Sequence, residues 1–209
     1  MREFTGWLLD LFEDPREGLV LYFIEENGGR WRLTRPFPVT FYALGDDAQL
    51  RALWQHLSDR PNEISLKRTR RMDVFRRGQV TALAVTIHNP YEARKIFYRI
   101  ANRFPNLEYA DADLQISLRF AAETGAFPLS YCRVLADEND QLRDIEVLED
   151  AWRLKPKSIP LRIMSMAPDV APHHAHPHYL KIEMDGEEYH LDLSTWRPLL
   201  VNLRALIQR

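Results

Sequence analysis

Residues 40–113 read TFYALGDDAQLRALWQHLSDRPNEISLKRTRRMDVFRRGQVTALAVTIHNPYEARKIFYRIANRFPNLEYADAD, and the periodicities in this stretch decide the fold. It opens on an aromatic strand, Thr40 to Leu44. Asp46 and Asp47 then cap a helix whose apolar positions Leu50, Leu53, Trp54 and Leu57 fall at i, i+3, i+4 and i+7, one stripe of a helical period. Ile64 to Arg71 follows as a strand, and Leu83, Val85 and Ile87 alternate along another, with a turn at Arg77 and Gly78 between them. Asn89 and Pro90 open a second helix, in which Ala93, Ile96, Phe97, Ile100, Ala101 and Phe104 share an apolar face and which Pro105 stops. Leu107 to Ala112 returns as a strand. The order strand, helix, strand, strand, helix, strand is the ferredoxin-like βαββαβ unit. Its two one-faced helices cover one side of an antiparallel sheet and leave the other side free to meet a partner.

Outward from this unit the chain stays rich in strands. Trp7 to Phe12 and Leu19 to Ile24 are apolar segments separated by Asp14, Pro15 and Gly18, and the second ends at Asn27, Gly28 and Gly29, the punctuation of antiparallel strands joined by turns. Trp31 and Leu33 continue the meander until Pro36 and Pro38 interrupt it. A third helix is expected over about Leu114 to Glu123, closed by Gly125 as a left-handed cap. The acidic stretch Asp137 to Asp150 and the proline-marked run Lys155 to Pro160 lead into a second unit. That unit has strands Leu161 to Met166, Tyr179 to Met184 and Tyr189 to Leu193, a turn at Asp185 and Gly186, and a final helix capped by Ser194. In the final helix Leu199, Leu200, Leu203, Leu206 and Ile207 keep the apolar stripe. The expected class is α+β. Residues 1–135 hold a β-meander and the ferredoxin-like unit (about 40–113), 136–160 a linker, and 161–209 the second unit.

The 209 residues are 45% hydrophobic and 11% aromatic, enough to build real cores. Lys and Arg number 28 against 30 Asp and Glu, a net charge of -2, so any contact with nucleic acid must come from a local patch. The opening MREFTGWLLDLFEDP mixes acids into a short apolar run, which interrupts the core a secretory signal needs. No stretch approaches the roughly 18 apolar residues that cross a bilayer. Cys132 is the one cysteine, which excludes an internal disulfide or a multi-cysteine metal site. It fits a reducing compartment, so a cytoplasmic location without membrane contact is expected.

A cationic run lies inside the central unit. Lys67, Arg68, Arg70, Arg71, Arg76 and Arg77 place six positive charges within eleven residues, against one acid, Asp73. On a hairpin of neighbouring strands these groups can line a phosphate-binding face; the plainer reading is an edge strand that uses charge against aggregation. Arg94, Arg99 and Arg103, on the polar side of the second helix, would extend the basic surface. His173, His174, His176 and His178 are packed closely enough to chelate a metal, but Pro172 and Pro177 disfavour the helix that would fix a ligand face, which leaves an exposed loop. Asp111 and Asp113 alternate where a strand leads into a helix, a place where caps are commoner than acid/base pairs. No GxGxxG, P-loop, GxSxG or HExxH motif occurs, so no catalytic residue is expected in this chain.

Taken in order, PFPVTFYALGDD (36–47), HNPYEARKIFYRI (88–100) and YADADLQISLRFAAETGAFPL (109–129) resemble the amino-terminal domain of family B DNA polymerases, with Arg119, Gly125 and Pro128 at matching places. Residues 161–209 look like the start of the ribonuclease H-like 3′ to 5′ exonuclease domain that follows in this family. Aligning LRIMSMAPDV (161–170) with the strand that ends in an Asp-x-Glu pair puts Ala167 at the aspartate and Asp169 at the glutamate. The resemblance therefore implies a degenerate proofreading site, since alanine cannot ligate a metal ion. Archaeal members recognise template uracil at positions matching Ala93, Phe97, Ile116 and Arg119, of which only Arg119 keeps the polar type here.

The resemblance implies a non-catalytic segment of a DNA-directed DNA polymerase, a nucleotidyltransferase of replication or repair. Its partners would be primer-template DNA, held through phosphates at Lys67, Arg68, Arg70, Arg71, Arg76, Arg77 and Arg119, and the remaining polymerase domains of the same chain. Magnesium is implied for the parent polymerase and no cofactor for this segment. The polymerase carboxylates are expected beyond Arg209, because phrases of the DxxSLYP and YGDTD kind are absent. Two other readings stay open: a stand-alone ferredoxin-like module for RNA or protein, and a metal-dependent nuclease built on the carboxyl-terminal unit.

Overall fold

The computed structural model describes every residue except 74–76, 150–152 and 209. They form two compact units, Met1–Ile159 and Pro160–Arg209. In chain order the first runs β1 (Arg2–Asp14), β2 (Gly18–Glu25), β3 (Arg30–Arg35), β4 (Val39–Leu44), α1 (Asp47–Leu57), β5 (Ile64–Asp73), β6 (Gly78–Ile87), α2 (Pro90–Arg103), β7 (Glu108–Ala110), α3 (Ile116–Thr124), β8 (Tyr131–Ala136) and β9 (Leu142–Val147). The second runs β10 (Met164–Pro168), β11 (Tyr179–Met184), β12 (Glu187–Asp192) and α4 (Trp196–Ile207).

β4 to β7 form an antiparallel sheet in the order β5-β6-β4-β7, which with α1 and α2 as crossings is the ferredoxin-like arrangement expected from residues 40–113. Alternation sends Phe41, Ala43, Leu83, Val85 and Ile87 to one side, where they meet Leu50, Leu53 and Leu57 of α1 and Ile96 and Ile100 of α2. Burial of each larger side chain contributes roughly 1.5–3 kcal/mol, so both helices are held on that face and the opposite face stays clear of them. A capping box starts α1: the Gln49 N–H donates to Asp46 Oδ1 at 2.7 Å and the Asp46 N–H to Gln49 Oε1 at 3.1 Å. Asn89 starts α2 by accepting from the Tyr91 N–H, and its amide also donates to the Pro15 carbonyl at 2.9 Å, which ties the helix to the turn after β1.

The second sheet of this unit has the order β3-β2-β1-β8-β9. The expected meander is β1 to β3, but β1 also pairs along its other edge with β8, from Arg2↔Ala136 to Trp7↔Tyr131. Residues 136–160, expected as a linker, contain β9, and the compact unit extends through them to Ile159. Composition hides β9 because Arg143, Asp144 and Glu146 are exposed while Leu142 and Ile145 enter the core. An irregularity between Leu135 and Ala136 further spoils the period-two signal. α3 packs Phe120 into the same core and ends at Gly125 with φ 79, as expected. Its cap position is Gln115, which makes no side-chain cap bond, so neither Asp111 nor Asp113 caps it.

In the second unit β10, β11 and β12 form an antiparallel meander in that order, followed by α4. Asp185 and Gly186, with φ of 53 and 82, make the tight turn between β11 and β12. Leu199 and Leu206 of α4 close a small core with Ile182, Met184 and Leu191. Thr195 occupies the cap position of α4 without a side-chain bond; the N–H of Ser194, the expected cap, donates instead to Asp192 Oδ1 at 2.6 Å. Among the described residues no helix is long and apolar enough to cross a membrane.

Candidate nucleic-acid interface

β5 carries the cationic run and pairs with β6 from Ile64↔Ile87 to Asp73↔Gly78. Alternation from the buried Ile64 places Leu66, Arg68 and Arg70 on the helix-covered side and Ser65, Lys67, Thr69 and Arg71 on the open side. Two contacts show the split. Arg68 pairs with Asp47 at the start of α1 at 2.8 Å. Arg71 instead places its guanidinium 4.5 Å from the ring centroid of Tyr42 and donates to the phenol oxygen. The run is therefore divided between two faces. Arg77 sits at the hairpin end with a left-handed φ of 52, and Arg76 lies outside the described residues. Lys67, Arg70 and Arg77 are exposed and have no carboxylate partner among the described residues. Arg94, Arg99 and Arg103 are exposed on α2, on the helix-covered side.

The floor of the open side consists of Thr40, Tyr42 and Leu44 of β4 facing Thr86, Ala84 and Ala82 of β6 in cross-strand pairs. The two alanines leave space above the strands. A trough of about 1010 Å³ results, bounded by Arg71, Met72 and Asp73 on the β5 side and by Glu108, Asp111, Leu114 and Leu118 on the other. Sequence reading found the cations but not this floor, although the period-two order Thr40, Tyr42, Leu44 is its signal.

Arg119 is turned into the wall of the trough. Its Nε donates to the Leu114 carbonyl at 3.2 Å, Nη1 to the Thr40 carbonyl at 2.7 Å, and Nη2 to the carbonyl of Asp111, a residue with φ 60. Burial pulls its pKa down against the opposing pull of Asp111, Asp113 and Tyr42. With three carbonyls on its fork, Arg119 fastens α3 and the loop before it to β4. It also borders a cleft of about 550 Å³ with Ala93, Phe97 and Ile116. There Phe97 turns its ring toward Phe41 and Tyr109, each 5.3 Å away, and so serves the core.

In the second unit Ala167 stands opposite Lys181 on the neighbouring strand and offers no ligand atom. Asp169 accepts from the His178 N–H at 3.0 Å and lies 3.4 Å from the His178 imidazole. Burial pushes its pKa up, but the backbone and side chain of His178 and the backbone at Tyr179 together hold it below the ordinary carboxylate range. His173, His174 and His176 are exposed. Among the described residues no three His, Cys, Asp or Glu side chains converge to hold a metal ion, and Ala167 brings no ligand atom beside Asp169.

No protein-family model matches the chain, and no curated protein sequence matches it significantly. Among solved structures, the family B DNA polymerase from the hyperthermophilic archaeon Pyrobaculum calidifontis matches with a TM-score of 0.71 at 20% identity, over 98% of this chain and 29% of that one. This chain has the fold of a segment of a family B DNA polymerase. The likeness takes in both stretches whose residues suggested it, 36–129 and 161–209, and the chain spans less than a third of the polymerase's length.

Proposed function

We propose that the chain is a DNA-holding segment of a family B DNA polymerase that meets the phosphates of primer-template DNA through the β5–β6 hairpin, in replication or repair. The observation that carries this reading is the set of exposed cations at Lys67, Arg70 and Arg77 without carboxylate partners among the described residues. An unpaired cation gives up nothing inside the protein when it meets a phosphate and releases a counterion from the DNA, whereas Arg68 must first leave Asp47. Between residues 40 and 113 there are twelve Lys and Arg against nine Asp and Glu, so the attraction is local to this unit in a chain of net charge -2. Contacts of this kind position DNA without reading its bases. Catalysis, with its magnesium, would belong to the remaining domains of the parent polymerase, and the surroundings of Ala167 and Asp169 give a nuclease reading no support.

The paired reversal Lys67→Glu with Arg70→Glu tests this. It is expected to lower primer-template affinity on the order of tenfold or more at about 50 mM salt, and to flatten the slope of log affinity against log salt by about 2, with circular dichroism unchanged. Unchanged affinity would take the hairpin out of the interface and the proposal with it.

A further inference from the structure

The open trough carries a chemistry that phosphate contact does not use. Tyr42 supplies an aromatic ring at the centre of its floor, flanked across the strand pair by Ala84 and near the hydroxyls of Thr40 and Thr86, which bond each other at 2.7 Å. The guanidinium of Arg71 lies over that ring, on the π face that a nucleobase would stack upon. Arg71 and Asp73 line the β5 side of the trough, with Lys67 on the same face of β5 beside Ala84; Glu108, Asp111 and the exposed apolar side chains of Leu114 and Leu118 line the other.

We propose that this trough binds the bases of single-stranded nucleic acid, with the Tyr42 ring as stacking surface and Arg71 as its displaceable cover. The proposal rests on the DNA-holding reading above and adds a second, base-dependent contact to it. Lys67 and Arg71 are the cations on the open face of β5 and take the phosphates along that strand, while the bases turn inward over Tyr42 toward the apolar Leu114 and Leu118. A duplex cannot enter in this way, because its bases are already stacked and paired. On binding, Arg71 moves from the ring to a phosphate, exchanging an exposed cation–π contact and its bond to the phenol oxygen for charge-assisted hydrogen bonds while a base takes its place.

The test uses the full 209-residue chain and fluorescence anisotropy with four probes of about a dozen nucleotides: oligodeoxyadenylate, its ribo counterpart, an abasic deoxy strand and a duplex. Tyr42→Ala is expected to weaken oligodeoxyadenylate binding by about tenfold while duplex affinity stays within about twofold, and Tyr42→Phe, which keeps the ring, to bind the single strand as the parent does. Tyr42→Leu keeps side-chain bulk without a π face and should behave as the alanine variant, which separates lost stacking from lost folding. The two single strands show whether DNA or RNA is the preferred source of bases. Single-strand affinity unchanged in Tyr42→Ala, or an abasic strand bound as tightly as oligodeoxyadenylate, would overturn the stacking site and leave the trough to a protein partner. The Lys67→Glu, Arg70→Glu pair is read on the duplex probe and Tyr42→Ala on the single strand, so failure of the hairpin reading and failure of the stacking site give different results.

Discussion

Arg119 reaches three backbone carbonyls from one planar fork, and lysine, with the same charge on a single nitrogen, cannot reproduce that geometry. One of the three belongs to Asp111, whose φ of 60 is rare outside glycine and persists only where neighbours hold it. Arg119→Lys is therefore expected to lower stability by about 1–3 kcal/mol, read from the denaturant midpoint, with duplex affinity unchanged. Lost DNA affinity at full stability would instead make Arg119 a phosphate contact. Its positive charge was legible in the sequence. Its carbonyl partners were not, because Thr40 lies far away in the chain and no local periodicity announces such a contact. Cys132 is fully buried, and burial pushes its thiol up to about 12, which leaves it unreactive in the folded protein.

Among the elements, those with short-range signals were legible. The helix stripes and the caps at Asp46 and Asn89 follow from residues within a few positions of one another. β8 and β9 escaped notice because their burial is set by a strand at the other end of the unit and their alternation is broken. The turn joining them has its own pH dependence. The N–H of Gln141 donates to Asp137 at 2.9 Å, as does that of Asn139, and Arg143 adds Nε at 3.0 Å and Nη2 at 2.6 Å. The Gln141 bond, opposed by desolvation and helped by Arg143 and Asn139, holds the Asp137 carboxyl below the usual range. A carboxyl depressed in the folded state stabilises the fold above its unfolded pKa, near 4, and loses that effect as pH falls through the folded value. Asp137→Asn should thus lower the Tm at pH 7, and its gap from the parent should close as the pH drops below about 4. A gap that persists or widens in acid would show that the carboxylate charge is not what stabilises this turn.

For the whole molecule, the division of the chain follows from where its buried side chains gather. The clusters under both sheets of the first unit, and the small one around Trp7, Ile24 and Tyr131, draw on residues up to Ile159 and no further. The cluster of Ile182, Met184, Leu191, Leu199 and Leu206 draws wholly on the second unit. A core of that size in so short a segment is marginal without a disulfide or metal, and Cys132, in the other unit, provides no crosslink. Residues 1–159 by themselves should therefore fold and show, in differential scanning calorimetry, a transition that overlays the main one of the full chain. Residues 160–209 by themselves should melt at lower temperature with little cooperativity. The shorter chain should also keep the duplex affinity of the parent, since Lys67, Arg70 and Arg77 all lie within it. If residues 1–159 failed to fold, the strand β9 and the segment after it would need support from beyond Ile159, and the separation of the two cores would not describe how the chain is stabilised.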